Sequence, residues 1–160
     1  MRMAEGVEWA LHSCILLHWA ERGAIPAAKL AEFHDLPVAY HNKHLQALAR
    51  AGILTSVPGP RGGFRLAKPP EQISLLEVVA AIEGPEDVFR CTEIRKRGPA
   101  GLGPKESYRL PCSVFVAMHE AELAWRRALA EQTLADVIAR AERVSPSARR
   151  RIHRWFADHS

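Results

Sequence analysis

Residues 37–68 read PVAYHNKHLQALARAGILTSVPGPRGGFRLAK and contain two different periodicities. The apolar spacing in the first half predicts a helix that begins after Pro37 and ends near Gly52. The second half predicts two short strands, residues 53–57 and 64–67, joined by a Pro/Gly-rich tip that carries Arg61. This stretch therefore predicts a helix followed directly by a basic β-hairpin.

The residues before this stretch predict two further helices. The first covers residues 4–22 and ends at Gly23, and the second, AAKLAEFHD, begins after Pro26. The second helix and the helix after it are short and joined by a tight turn, which is the outline of a helix-turn-helix. With the hairpin as its wing, the sequence predicts a winged helix-turn-helix DNA-binding domain over residues 1–70.

The rest of the chain, residues 71–160, is predicted to carry a loop and the dimerisation helices. Ser74 caps a short helix, and residues 91–112 form a polar loop with three Gly and three Pro. A long helix over residues 113–141 has an apolar stripe longer than so small a domain covers by itself, and a last helix begins at Ser145. The predicted fold class is mainly α: a winged helix-turn-helix with a small two-stranded wing plus a long dimerisation helix.

The composition is that of an ordinary soluble protein, because 48% of the 160 residues are hydrophobic and 25% are charged. No apolar stretch approaches the roughly 20 residues of a membrane span, and Glu5 and Glu8 interrupt any signal peptide. We therefore expect a cytoplasmic protein without a membrane partner. The sequence shows no nucleotide-binding glycine loop and no nucleophile elbow, which argues against an enzyme with a small-molecule substrate.

Positive charge is concentrated in the predicted winged helix. The net charge is +4, and residues 23–68 contain six Lys or Arg against Glu32 and Asp35. This distribution favours a polyanion such as double-stranded DNA as the partner. Arg61 at the wing tip is predicted to enter the minor groove or contact phosphate, and Arg65 to contact phosphate.

Polar side chains near the start of the helix after Pro37 are of the types that read base edges. Asn and Gln pair with adenine, and Lys reaches guanine or phosphate. The alternative is an ordinary solvated helix face. The predicted DNA contacts on this helix are Tyr40, His41, Asn42, Lys43 and Gln46.

Three cysteines are present, and a reducing compartment disfavours a structural disulfide framework. Cys91 and Cys112 lie at the two ends of the polar loop, and we interpret them as metal ligands or redox thiols. Cys14 lies on the apolar face of the first helix and is interpreted as a small hydrophobic residue.

The stretch GILTSVPGPRGGFRLAK, followed by ISLLEVVAAIEG and a cysteine-bearing loop before a long helix, resembles the IscR/NsrR family of iron-sulfur transcription regulators. The resemblance covers nearly the whole chain. It implies a homodimer that binds a palindromic operator, with the cluster of the iron-sulfur members in the loop before the dimerisation helix. The usual family pattern has three closely spaced cysteines in that loop, whereas this chain has two, separated by 20 residues.

Two thiolates leave a [2Fe-2S] cluster two ligands short. In parts of the family an acidic residue on the partner subunit's first helix reaches the cluster, which directs attention to Glu8 and His12, one turn apart on an otherwise apolar helix. A buried carboxylate is costly unless it is paired, for example with a metal. We therefore predict a [2Fe-2S] cluster bound by Cys91 and Cys112 of one subunit and by Glu8 and His12 of the other.

Other interpretations of the proposed ligands stay open. A Glu-His pair at this spacing is also a common solvated contact. His119 on the long helix competes as a ligand, and Glu93 and Glu106 are weaker candidates. Trp9 lies next to the proposed ligands in the sequence and is a candidate redox relay that changes its packing when the charge of the cluster changes, or a core tryptophan.

The mixed ligand set predicts a redox-sensing regulator of transcription. We expect a repressor, with an activator as the alternative that the sequence leaves open. Imidazole ligation raises the potential of a cluster, and a cluster shared by two subunits couples its redox state to the spacing of the two recognition helices. The alternatives are a metal-free thiol/disulfide switch, or a nitric oxide or iron-supply sensor of the same fold. An enzyme or electron carrier is the alternative from another class. The arginine run of the last helix is either a further DNA contact or a solvated face: Arg149, Arg150, Arg151 and Arg154.

Overall fold

The computed structural model describes residues 3–159, apart from the side chain of Glu106. The chain divides into two compact units. Glu86–Ala128 forms the loop-helix unit, and the described residues on either side of it together form the winged-helix unit. The fold is mainly helical, with seven α-helices and one two-stranded antiparallel sheet among the described residues, which confirms the predicted fold class.

The winged-helix unit contains six of these helices and the hairpin. It begins with α1 (Glu5–Trp19), α2 (Ala27–Phe33) and α3 (Val38–Arg50), followed by β1 (Leu54–Val57), β2 (Gly63–Leu66) and α4 (Leu75–Glu83). After the loop-helix unit it continues with α6 (Leu134–Val144) and α7 (Ala148–Asp158). The loop-helix unit contains short 3-10 turns and one long helix, α5 (Ser113–Ala130).

The hairpin forms in the register that its alternating burial requires. Leu54 pairs with Leu66, and Ser56 pairs with Phe64, whose side chain enters the core. Phe64 also exchanges two backbone hydrogen bonds with Ile25, of 2.8 and 2.9 Å, which fix the wing against the turn between α1 and α2. Gly63 is required at this junction because its φ is +144° and a Cβ there would lie 2.2 Å from the carbonyl oxygen of Ile25.

Helix α1 is the centre of the winged-helix core. Its buried side chains pack with leucines of α2 and α3, and with Ile53, in one apolar cluster. Cys14 is fully buried in this cluster, and burial raises the pKa of its thiol to about 12. Its interpretation as a small hydrophobic residue therefore fits the structure.

The long helix predicted over residues 113–141 is instead two helices, because α5 ends at Ala130 and α6 begins at Leu134. The break is a capping box: Asp136 N–H donates to the Thr133 hydroxyl at 3.2 Å, and Thr133 N–H donates to the Asp136 carboxylate at 2.8 Å. The same device, with Ser74 and Glu77, begins α4 as predicted. The hydrogen bonds of the capping box thus begin a new helix here, although the apolar stripe continues across the break.

The two units do not follow the boundary predicted at residue 70. Helices α4, α6 and α7 belong to the winged-helix unit, and α6 is tied to the start of α4 by two backbone hydrogen bonds of 2.8 and 2.9 Å. None of the described helices is long and apolar enough to cross a membrane.

Candidate functional sites

The outer face of α3 carries four of the polar side chains singled out in the sequence. Tyr40 is 48% exposed, Lys43 and Gln46 are exposed, and Asn42 is half-buried. Because the opposite face of α3 packs in the core, these side chains form a polar surface on one side of a fixed helix.

His41 differs from its prediction, because its side chain is fully buried and cannot contact DNA from this position. Its Nε2 lies 3.0 Å from the hydroxyl oxygen of Ser13 on α1. Burial, with smaller contributions from the charges of His44 and His34, lowers the pKa of His41 to about 4. The spacing to Leu45 and Leu48 at i+4 and i+7 is a sequence signal from which the burial of His41 could have been predicted.

The wing presents both of its predicted arginines to solvent. Arg65 lies on β2 opposite Thr55, and Arg61 lies in the turn between the strands. The turn is closed by a 2.9 Å hydrogen bond from Gly62 N–H to the Gly59 carbonyl. A tight turn of this kind holds Arg61 at the tip of the wing.

Trp9 connects α1 with the outer face of α3. Its ring centroid lies 5.5 Å from that of Tyr40 and 5.8 Å from that of His44, both in edge-on geometry. The contact is close because Gly6, one turn earlier on α1, leaves room for His44: a Cβ on Gly6 would lie 2.4 Å from the His44 Nε2. Trp9 is therefore packed against an exposed residue of α3 and is only half-buried.

The loop-helix unit brings Cys91 and Cys112 together across the 20 residues between them. A hydrogen bond with the Cys91 side chain is among the causes that lower the pKa of the Cys112 thiol. Cys112 immediately precedes α5, and the backbone N–H groups of Val114 and Phe115 donate to its sulfur. These hydrogen bonds are the largest cause of a lowered pKa at Cys112, because they stabilise the thiolate.

Arg95 supplies the positive charge beside the two sulfurs, and its charge also lowers the pKa of Cys112. Its guanidinium is held by the Glu93 carboxylate at 2.9 Å and by the Leu110 carbonyl at 2.6 Å. Glu93 N–H in turn donates to the sulfur of Cys91 at 3.4 Å. Sequence reasoning missed Arg95, because nothing in the spacing of the loop residues shows that this arginine folds back onto the cysteines.

The thiol site opens into a shallow cleft of about 390 Å³ on the surface of the loop-helix unit. Cys91 and Arg95 line it together with Tyr108 and Phe115. The site combines two neighbouring thiols, N–H donors to both sulfurs and a fixed cation. Such a site can hold metal as thiolates or form a disulfide on oxidation.

Glu8 and His12 lie one turn apart on α1, but both are exposed rather than buried as the apolar helix suggested. The argument from the cost of a buried carboxylate therefore does not apply within one subunit. The ring of His12 packs edge-on against that of His34, with centroids 5.4 Å apart. Burial, then the charge of His12, lowers the pKa of His34, whereas the charge of Glu8 raises it.

The competing ligands within the loop-helix unit are occupied or undescribed. Glu93 forms ion pairs with Arg95 and Lys96, and His119 stacks on Phe115 at a centroid distance of 5.5 Å. The side chain of Glu106 lies outside the part of the chain that the structure describes. Among the described residues, no group of three or more His, Cys, Asp or Glu side chains is arranged to hold a metal ion.

A comparison with protein families finds one family that matches most of the chain. The family model of Rrf2, described as an iron-dependent transcriptional regulator, matches residues 3–140. This chain belongs to the Rrf2 family of transcriptional regulators. It is therefore a DNA-binding transcription regulator and not an enzyme, as the sequence predicted, and regulators of this family are typically dimeric.

One curated relative of this Rrf2 regulator is an IscR protein. This chain is 32% identical over 77 residues to the HTH-type transcriptional regulator IscR of Aliivibrio salmonicida, over 48% of this chain and 45% of that protein. The match thus spans less than half the length of that relative.

Two solved structures share the fold of this Rrf2 regulator. IscR of T. potens is 20% identical with a TM-score of 0.64, covering 91% of both chains. CymR, the global cysteine regulator of B. subtilis, is 20% identical with a TM-score of 0.60, covering 87% of this chain and 97% of its own. At this level of identity the likeness shows the winged-helix fold alone.

Proposed function

We propose that this Rrf2 regulator is a homodimeric, redox-sensing repressor that binds a palindromic operator under the control of a [2Fe-2S] cluster. Cys91 and Cys112 of one subunit, with Glu8 and His12 of the partner subunit, are the proposed ligands. The single observation that carries the proposal is the juxtaposition of Cys91 and Cys112 at the N-terminus of α5, beside Arg95.

The donor chemistry of the thiol site fits an iron-sulfur cluster. Iron binds the thiolate form, and the N–H donors and Arg95 favour that form at Cys112. Hydrogen bonds to sulfur also tune the potential of such clusters. When bound, the cluster supplies a reversible one-electron couple, whose potential is raised where imidazole replaces thiolate.

The surroundings of Glu8 and His12 support the proposal that they bind the cluster of the partner subunit. Both are exposed, and neither forms an ion pair with another described residue. A two-ligand thiol site within one chain is incomplete for a cluster. A second copy offering an imidazole and a carboxylate one helical turn apart completes it.

The dimer itself is supported by the exposed apolar side chains of α5. This helix has 18 residues and lies in a loop-rich unit, and several of its apolar side chains are exposed. A group of exposed apolar side chains indicates a contact surface, whereas single ones do not. Covering this surface with the same helix of a second copy places two winged-helix units in one molecule. The exposed apolar residues of α5 include Val114, Val116, Met118 and Leu123.

DNA contact is assigned to the outer face of α3 and to the wing. Asn42 and Gln46 are the proposed readers of base edges, with Tyr40 and Lys43 beside them, and Trp9 is the proposed relay from α1 to Tyr40. Arg61 and Arg65 of the wing contact the backbone or minor groove. His41 holds α3 against α1 and takes no part in the contact.

Spectroscopy of the anaerobically purified protein tests the ligand set. The wild type is expected to be red-brown, and Cys112→Ser to be colourless or strongly depleted of iron. Glu8→Ala and His12→Ala are expected to change the Mössbauer and resonance Raman spectra of the cluster. Glu5→Ala, an equally exposed carboxylate on the same helix, is the control and leaves the spectra unchanged. Wild-type spectra from both Glu8→Ala and His12→Ala would remove these residues from the site.

DNA binding of the loaded protein identifies the signal. A difference in operator affinity between the oxidised and reduced cluster supports redox sensing. If affinity changes only on treatment with nitric oxide or with an iron chelator, then the cluster serves one of those two alternatives. A Trp9→Ala protein that keeps the full redox-dependent difference would remove Trp9 from the relay.

A metal-free thiol switch is the second candidate, favoured by the contact between the two thiols and by the lowered pKa of Cys112. An external disulfide first exchanges with the Cys91 thiol, which forms a mixed disulfide and releases one reagent thiol. The thiolate of Cys112 then attacks the Cys91 sulfur, so that the second reagent thiolate leaves and a Cys91–Cys112 disulfide remains. A colourless, iron-free protein with two reactive thiols, whose DNA affinity changes on oxidation by a disulfide reagent, would establish this switch in place of the cluster.

A further inference from the structure

A cationic cavity lies beside the tip of the wing. It has a volume of about 490 Å³ and is formed by the turn between α1 and α2, the wing tip and the end of α7. Arg22, Lys29 and Arg61 line it, together with Phe156 and His159 of α7. Arg22 is held in place by a hydrogen bond from its guanidinium to the carbonyl of Phe156. The last turn of α7 thus lies next to the arginine at the tip of the wing.

A second concave surface lies along α7 and shares no lining residue with the first. It encloses about 540 Å³ and is lined by Arg149, Arg150, His153 and Arg154, beside Glu21 at the end of α1. Arg151 does not line it and donates instead to the Ser147 hydroxyl at 2.6 Å. Three of the four arginines in the run therefore line this surface, and Arg151 does not. We call the two concavities together the α7 basic surface.

The α7 basic surface is strongly positive. Six Lys or Arg line it, and among the described residues Arg149 pairs with Glu21 and Lys29 pairs with Glu32 at 2.7 Å, while Glu142 acts on Arg149 through its charge. Six cations against these three carboxylates leave an excess of three positive charges, in a chain whose net charge is +4. No ion pair to a described residue involves Arg150 or Arg154. Such a surface favours the binding of a polyanion.

We propose that the α7 basic surface binds the phosphate backbone of DNA outside the half-site that α3 and the wing contact. The proposal rests on DNA binding through α3 and the wing. The position of Arg61 supports this placement, because Arg61 lies at the wing tip and also lines the cavity beside the end of α7. DNA that lies against Arg61 and continues outward meets Arg22 and then the arginines of α7.

The dimensions of α7 fit this role. An α-helix of 11 residues is about 16 Å long, and phosphates follow one another every ~3.4 Å along the axis for each strand. Arginine side chains on one face of such a helix can each reach a different phosphate. Phosphate contacts add affinity without reading sequence. The surface therefore extends the footprint of each subunit without changing which operator is preferred.

Two duplexes of different length test the proposal. An operator is first selected from a pool of random-sequence duplexes with the wild-type protein. It is then prepared as a core duplex limited to the two half-sites and as a duplex extended by ten base pairs at each end. With the extended duplex, the Arg150→Ala/Arg154→Ala protein is expected to bind more weakly. The slope of log affinity against log salt concentration should fall by about 1.8, or 0.9 for each lost phosphate contact. With the core duplex the variant should match the wild type.

Arg140→Ala/Arg143→Ala is the matched control, because it removes the same charge from exposed positions of α6 in the same unit. Equal binding by the Arg150→Ala/Arg154→Ala protein and the wild type on the extended duplex would overturn the proposal. So would equal losses for the two double variants, because they would reflect net charge alone. Loss of affinity for the core duplex as well would place the contact inside the half-site. Failure of the wild type to select any operator would overturn the proposed function, and this inference with it.

Discussion

At the scale of single residues, His41 shows how one side chain is assigned by packing rather than by its chemistry. An imidazole near the start of a recognition helix is of a type that contacts DNA, yet this one is fully buried against Ser13. A buried imidazole is stable only in its neutral form, because burial penalises the charged form. His41 therefore makes the attachment of α3 to α1 sensitive to acid.

The first prediction is a loss of stability as the pH falls from 6.5 towards 4. The pKa of His41 is about 4 in the folded chain against 6.5 for an ordinary histidine, so the unfolded chain binds the extra proton in this range. Acid therefore favours unfolding, by about 3 kcal/mol for a shift of this size. Urea unfolding of the wild type at pH 7 and pH 4.5 measures the difference.

The Ser13→Ala/His41→Leu protein should show a weaker dependence on pH, since both hydrogen-bonding partners and the titrating group are removed together. Some dependence should persist, because the pKa of His34 and of His44 is also lowered by burial. His153→Gln, at an exposed position on α7, is the control. An unchanged dependence on pH in the Ser13→Ala/His41→Leu protein would show that His41 is not its source.

At the scale of elements, the break between α5 and α6 decides how the C-terminal half of the chain is used. The apolar spacing from residue 113 to 141 is compatible with one continuous helix. The side chains of Thr133 and Asp136 satisfy the free N–H groups at the start of a new helix, so α6 begins there and joins the winged-helix core. A threonine followed three residues later by an aspartate was a visible capping signal.

The second prediction concerns this cap. Thr133→Ala should lower the free energy of unfolding by about 1 kcal/mol, because an N-terminal N–H group of α6 loses its partner. Thr133→Ser retains the hydroxyl and should stay close to the wild type. Thermal or urea unfolding measures both. Equal stability of the alanine and wild-type proteins would mean that tertiary packing alone begins α6.

At the scale of the whole molecule, the proposed function requires two copies. The thiol site of the loop-helix unit has two donors, and the exposed imidazole and carboxylate of α1 are part of the winged-helix unit. The proposed dimer through α5 accounts for the exposed apolar side chains of that helix and has the symmetry that the proposed palindromic operator requires.

The third prediction is that charges on α5 dissociate the dimer. Val114→Glu/Met118→Glu places two carboxylates on exposed apolar positions of α5, where a dimer interface would bury them without partners. Sedimentation should show a dimer for the wild type and a monomer for this variant. Val144→Glu, at a position of α6 that is 87% exposed, is the control and should remain dimeric. A dimeric Val114→Glu/Met118→Glu protein would place the interface elsewhere.

The sequence by itself determined the order and type of most elements. Apolar periodicity, the prolines before α2 and α3, the cap at Ser74 and the glycine-rich tip of the wing are local signals, and local signals suffice to begin and end helices and strands. The two cysteines of the loop were likewise identified from their residue type. Their surroundings were not, because nothing local shows which distant side chains meet them.

Only the tertiary structure decided which residues became neighbours. It buried His41, exposed Glu8 and His12, and brought Arg95 to the thiols. It also assembled the α7 basic surface from the turn after α1, the tip of the wing and the last helix. The physical reason is that such contacts join segments far apart in the chain. They form when apolar faces pack together, and the polar side chains at the edges of those faces are then carried into positions that no sequence spacing records.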